Sequence, residues 1–158
     1  MLRTSPIRET ATLTRIDFYI LPEAAKPPEG AVMTACKLCD KATASGQRVY
    51  IHAPDTNVAN ALNSALWSFR QGSFIAHERF EPGVTLEEPA PAVLIGAAEP
   101  PADHLGVMIN FAAEVPAFFS RFERVLEIVD GDAEQRAQSR VRFKFYRDRG
   151  YELATHNL

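Results

Sequence analysis

The chain is poor in the residues from which metal, redox and nucleotide sites are built. Of its 158 residues only two are cysteine and four are histidine. The cysteines sit together as "CKLC" (Cys36, Cys39), and a structural zinc site would need a second such pair or a His-x-x-x-His, neither of which is present. A redox pair would open a helix, where the dipole lowers the thiol pKa. These two lie inside "AVMTACKLCDKATASG", with Val32, Cys36 and Cys39 at helical spacing, and read as small core residues. The histidines (His52, His77, His104, His156) are scattered singly. His52, at a strand end with Asp55 nearby, is the best acid/base candidate among them, though a structural role is the stronger reading. G-x-G-x-x-G, G-x-x-x-x-G-K-[ST] and G-x-S-x-G are all missing, so no backbone cradle for phosphate and no nucleophile elbow is expected. No run approaches the roughly 18 apolar residues of a membrane helix, and "MLRTSPIRETATLT" has no apolar core of a secretory signal. A cytoplasmic protein without metal or cofactor, and not an enzyme, is the expectation.

What is present describes one globular unit. A hydrophobic share of 46% and a charged share of 23% suit a domain long enough to bury a real core. Residues 1–14 read as a polar, flexible extension and 15–158 as a single α/β domain. "RIDFYIL" (15–21), "RVYIHA" (48–53), "AVLIGA" (92–97), "LGVMINF" (105–111) and "VLEIV" (125–129) have the composition of strands, with "AVLIGA" and "LGVMINF" reading as buried ones. Helices are expected over 31–45, ended by Gly46, and over 56–69, capped by Asp55. A short one is expected around Val115–Phe122, and a last one runs from Asp132 to near Gly150. The stretch 70–91, punctuated by Gly72, Pro82, Gly83, Pro89 and Pro91, reads as loop. Strands alternating with helices predict a mostly parallel central sheet with helices on both faces, a Rossmann-like three-layer sandwich without a nucleotide-binding loop.

The anomaly is charge. The formal net charge is -3, yet Arg136, Arg140, Arg142, Lys144, Arg147 and Arg149 stand against one acid, Asp148. The remaining chain then has 11 basic residues (17 less these six) and 19 acidic ones (20 less Asp148). On a helical wheel Arg136, Arg140, Phe143 and Arg147 fall within about 60° of one another, with Lys144 flanking them. Ala137, Val141 and Phe145 point the other way, as a core-facing stripe would. An aromatic ring among arginines suits a partner that is both anionic and apolar. Single-stranded nucleic acid meets that description through phosphates and stacked bases. A short acidic peptide with a terminal aromatic residue and free carboxylate fits one short helix on an acidic protein better. The plainer alternative is a solvated helix whose late basic residues suit its macrodipole.

A second patch centres on Trp67 in "NSALWSFRQGSF", about 180° from the Val58, Leu62 and Phe69 stripe, with Phe74 just beyond the helix. An outward tryptophan marks a protein interface unless the 70–91 stretch covers it. Two candidate patches and no catalytic constellation suggest an adaptor.

Taken in order, "DFYIL", "ASGQRVYIHA", "ALNSALWSF", "GSFIAH", "VMINF" and "FERVLEIVDGD" leading to "RFKFYRDRGYEL" resemble the chi subunits of bacterial DNA polymerase III holoenzyme, over about residues 15–155. The resemblance implies a non-enzymatic α/β adaptor in the replisome. Such an adaptor links the clamp-loader assembly, through the psi subunit, to the acidic C-terminal tail of single-stranded DNA-binding protein. It implies tail binding by Val129, Arg136, Arg140, Phe143, Lys144 and Arg147, with Arg140 on the acids and Val129 and Phe143 shaping an apolar pocket. The family usually has tyrosine where Phe143 stands, so a hydroxyl contact would be missing here. Trp67 and Phe74 match the side that faces psi or a helicase, and DNA would be met only indirectly. The alternatives are a protein that binds single-stranded nucleic acid directly with the same stripe, and a nucleotide-binding α/β enzyme with an atypical loop.

Overall fold

Among the described residues seven short strands, all parallel, form one sheet in the order β3-β4-β2-β5-β6-β1-β7. The computed structural model describes residues 13–69 and 74–158. In chain order the elements are β1 (Arg15–Ile20), α1 (Glu29–Ala44), β2 (Val49–His52), α2 (Thr56–Ser68) and β3 (His77–Phe80). Then come β4 (Val93–Gly96), β5 (Val107–Asn110), β6 (Arg124–Val129), α3 (Ala133–Asp148) and β7 (Glu152–Asn157).

The alternation along each strand builds two cores. Val49, Ile51, Val93, Ile95, Ile109 and Ile128 face one side, where α1 and α2 cover them with Val32, Cys36, Cys39, Leu62 and Leu66. Tyr50, Leu94, Met108, Val125, Val129, Ile16 and Phe18 face the other side, closed by Phe119, Phe122 and Tyr146 of α3. The three-layer α/β sandwich expected from the sequence is the architecture found.

Local chemistry explains the helix ends. Asp55 Oδ1 accepts from the backbone N–H groups of Asn57 (2.8 Å) and Val58 (3.2 Å), and Asp132 Oδ1 accepts from that of Gln135 (2.8 Å). Gly46 and Gly150 end α1 and α3 in the left-handed region, with φ of 82° and 81°.

Three expectations need correction. The stretch 70–91 is not all loop: β3 lies within it and pairs with β4. No regular helix forms around Val115–Phe122. Only a 3-10 turn over Phe119–Arg121 is present, because Phe122 is already extended and β6 begins two residues later. After α3 the chain adds β7, parallel to β1 at the sheet edge, where no strand was predicted. Residues 1–12 of the expected extension lie outside the described residues. Thr14 is buried, and its hydroxyl donates to the carbonyls of Phe122 (2.6 Å) and Ser120 (3.2 Å).

Candidate functional site: a cationic groove beside the last helix

Where α3 crosses the carboxyl ends of β1, β6 and β7, a groove of about 180 Å³ opens, mostly apolar in its walls. In parallel sheets the carboxyl ends of the strands are the usual place for ligands, since helices diverge there. Phe18 and Ile20 of β1, Val129 of β6 and Thr155 of β7 line one side; Arg136, Ser139, Arg140 and Phe143 of α3 line the other. Phe143 is half-buried, its ring edge-on to Phe18 at 5.2 Å between centroids. The ring is therefore the inner wall of a groove rather than an isolated surface aromatic.

Of the six residues expected to act together, Val129, Arg136, Arg140 and Phe143 meet in this groove. Phe18, Ile20, Ser139 and Thr155 were not anticipated. Phe18 and Ile20 share the pleat face of Val129, which the period of two along "DFYI" could have indicated. Thr155 had no such signal, because its strand was not foreseen.

The two arginines differ in freedom. Arg136 donates from Nη2 to the carbonyl of Leu21 at 2.7 Å and from Nε to that of Gly131 at 3.4 Å, so it also holds the chain leaving β1 against the start of α3. Gly131 permits that approach: a Cβ there would run into the carbonyl oxygens of Pro22, Glu23 and Ala25. Arg140 is exposed and, among the described residues, has no hydrogen bond or ion pair. A guanidinium at the rim of an apolar groove can take a carboxylate bidentately while the groove takes an apolar side chain. Lys144 and Arg147 stand outside the groove lining and share Asp148, at 2.5 Å from Lys144 Nζ and 3.7 Å from Arg147 Nε.

The orientation of α3 corrects the helical wheel. Its core face is Ser139, Arg142 and Tyr146, while Val141, expected inside, is 71% exposed. Burial of Glu127 on β6 is the cause. Arg142 Nε meets its Oε1 at 2.8 Å, and the Tyr146 hydroxyl (2.7 Å) and Asn110 Nδ2 (3.0 Å) donate to its Oε2. Arg142 also donates to the carbonyl of Ala113 (2.9 Å) and to Ser139 Oγ (3.1 Å). A buried carboxylate needs a cation and filled hydrogen bonds, so an arginine turns inward and the apolar Ala137 and Val141 turn out. Burial and the neighbouring Glu127 push the Tyr146 phenol well above its ordinary pKa, so it stays a donor. Arg149 lies on the other flank of the helix, 3.6 Å over the Phe145 ring.

Trp67 and Phe74, each 61% exposed, pack together on α2 and the segment before β3, with ring centroids 5.0 Å apart. His77 closes the cluster edge-on to Trp67 at 5.1 Å. Among residues with catalytic potential, His52 is buried between Tyr50 and Phe118, and burial lowers its pKa. Asp55 spends its carboxylate on the α2 cap. Burial raises the Cys36 thiol to about 11 and pushes Cys39 up further, so both stay protonated, as core residues do. No group of three metal-binding side chains occurs among the described residues.

The family model described as "DNA polymerase III chi subunit, HolC" matches residues 13–154. Curated proteins named DNA polymerase III subunit chi align over most of the chain. That of Pseudomonas aeruginosa is 38% identical over 146 residues, 92% of this chain and 98% of its own length. That of Haemophilus influenzae is 26% identical over 141 residues, 89% of this chain and 95% of its own. That of Escherichia coli is 26% identical over 120 residues, covering 76% and 80%. Among solved structures, the crystal structure of T4 UvsW superposes with a TM-score of 0.64 at 8% identity, over 94% of this chain and 42% of that one. At that identity the likeness concerns the fold alone.

Proposed function

This chain belongs to the family of DNA polymerase III chi subunits, accessory proteins of replication, and from that premise we propose that it is an adaptor joining the polymerase's clamp-loader assembly to single-stranded DNA-binding protein. The partner at the α3 groove is the acidic C-terminal tail of that protein, which ends in an apolar residue and a phenylalanine with its free carboxylate. The single observation that carries this reading is the pairing of an apolar groove with a guanidinium at its rim, Arg140, that has no partner among the described residues. The terminal phenylalanine enters between Phe143, Val129 and Ile20. Its carboxylate or the preceding acids meet Arg140, while Arg136 adds positive potential from a fixed position. The groove is short, so the reading favours a chain terminus over a continuous polyanion.

The second partner, a psi subunit or a helicase, takes the Trp67–Phe74 patch. Two neighbouring exposed aromatics supply the rigid apolar area that interface hot spots use. DNA itself is then contacted only through the partner.

Calorimetric titration of the protein with an acidic nonapeptide copy of the tail, beside its C-terminally amidated form, tests the proposal. Binding of the free-acid peptide and not the amide is expected. Arg140→Ala should weaken it by about 2–3 kcal/mol, roughly 30- to 150-fold, if the ion pair is well desolvated. Arg149→Ala, on the far flank, should cost well under about 1 kcal/mol. Equal losses from the two substitutions would reduce the site to diffuse charge. Binding of a single-stranded oligonucleotide with steep salt dependence, and none of the peptide, would favour direct nucleic-acid binding instead.

A further inference from the structure

The one acid in the basic segment sits where helix electrostatics would not put it. Asp148 is in the last turn of α3, at the negative end of the macrodipole. Its ion pair with Lys144 has the base N-terminal to the acid, the weaker of the two i,i+4 orientations. Asp148 is nonetheless engaged on both oxygens: Oδ2 with Lys144 and Oδ1 with Arg147. The pair is exposed, so helix stability gains little from it. What Asp148 does accomplish is to occupy the two cations that continue the row from Arg140 beyond the groove.

We infer that Asp148 is an internal competitor for the acidic ligand of the α3 groove, holding Lys144 and Arg147 so that, of the row Arg140, Lys144 and Arg147, Arg140 is the cation without a partner among the described residues and receives the first carboxylate. This rests on the reading of the groove as an acidic-tail site. A ligand docks its terminus with Arg140, and its upstream acids reach Lys144 and Arg147 only by displacing Asp148. The contribution of each further ligand acid is thereby reduced, and the negative charge of Asp148 opposes the approach of any extended polyanion. Selectivity shifts toward the terminal apolar residue and its carboxylate, which the groove alone can read. The Lys144 hydrogen bond first, then the Lys144 and Arg147 charges, hold the Asp148 carboxyl below its ordinary pKa.

Titration of Asp148→Asn with the free-acid nonapeptide tests this in the intact protein. The variant is expected to bind about fivefold tighter at low ionic strength, the scale of an exposed ion-pair competition. The gain should fade by about 1 M salt, where screening acts within about 3 Å. A peptide whose internal acids are replaced by their amides, with the terminal carboxylate kept, should bind wild type and Asp148→Asn alike. Adding Lys144→Gln and Arg147→Gln to Asp148→Asn should cancel the gain. Asp148→Asn should fold as well as wild type, since it removes an acid from the wrong end of a helix. If wild type binds the peptide and Asp148→Asn binds it no tighter, the competition does not exist. If wild type does not bind the peptide at all, the reading of the groove falls, and the competitor role falls with it.

Discussion

Helix α3 takes part in two basic–acidic pairs, one inside with Glu127 of β6 and one outside within the helix itself, and the two differ in consequence. On the inner face Arg142 and Glu127 have side-chain exposures of 5% and 0%; on the outer face Lys144 and Asp148 have 65% and 47%. The separations, 2.8 Å and 2.5 Å, do not distinguish them. Solvent does. Inside, removing one partner strands a charge from which water is excluded; outside, water and salt replace a lost partner at little cost. The inner pair therefore determines which side of the helix faces the sheet, and so which residues wall the groove. The outer pair can be spent on ligand selection.

The sharpest way to break this comparison is Arg142→Ala. It leaves Glu127 buried with only Tyr146 and Asn110 as donors, and should cost about 3–5 kcal/mol of unfolding free energy. Urea denaturation followed by circular dichroism measures it. A loss below about 1 kcal/mol would mean that the inner pair is no more consequential than the outer one.

The pair that escapes sequence reasoning is also the pair that misled it. Apolar periodicity assigns Val141 and Phe145 inward, because a wheel weighs side chains by hydrophobicity and cannot see the carboxylate waiting across the interface on β6. The glutamate in "VLEIV" was the available signal: an acid in a strand buried on both faces requires a basic partner. The same limit explains the two strands that were not foreseen. β3 ("HERF") and β7 ("ELATHN") are the edges of the sheet. Edge strands meet the core on few residues and carry charges that discourage further pairing, so their sequences lack the apolar signature of β2, β4 and β5. The central strands, the helix caps and the outward Trp67 were legible because each follows from a local rule. Of the groove, the α3 and β6 residues were read from the sequence, and Phe18 and Ile20 were within reach of the period of two along β1; Thr155 was not, since it depends on a strand with polar sequence.

A middle case lies on the opposite face of β1. Asp17, nearly buried, receives Arg124 Nη2 at 2.8 Å and His156 Nε2 at 3.0 Å, tying β6, β1 and β7 together across the sheet. Burial opposes its ionisation, but the hydrogen bonds from His156 and Arg124 and the Arg124 charge outweigh it and hold the carboxyl below its ordinary pKa. A depressed folded-state pKa stabilises above the unfolded value, about 3.9, and that contribution is lost as pH falls through the lower folded value. Asp17→Asn should thus cost about 2 kcal/mol at neutral pH, as expected for hydrogen bonds to a charged group. The difference from wild type should shrink below about pH 4. Urea midpoints of both proteins at pH 7 and pH 3 supply the check. A difference independent of pH would locate the loss in packing instead.

The smallest expected effect is the one that discriminates most cleanly between the wheel and the fold. At Val141 the helical wheel demands a core residue, whose truncation to alanine would cost at least about 1 kcal/mol. The structure leaves that side chain 71% exposed on a helix, where a β-branched residue gives up rotamer freedom and buries almost nothing. Alanine propagates a helix better than valine, by up to about 0.7 kcal/mol per residue. Val141→Ala should therefore leave stability unchanged or raise it by about half a kcal/mol, within reach of paired urea titrations. It should leave peptide binding at the groove intact, since Val141 is not among the residues that line it. A destabilisation beyond about 1 kcal/mol would return Val141 to the interior and, by rotating α3, take Arg140 and Phe143 off the groove.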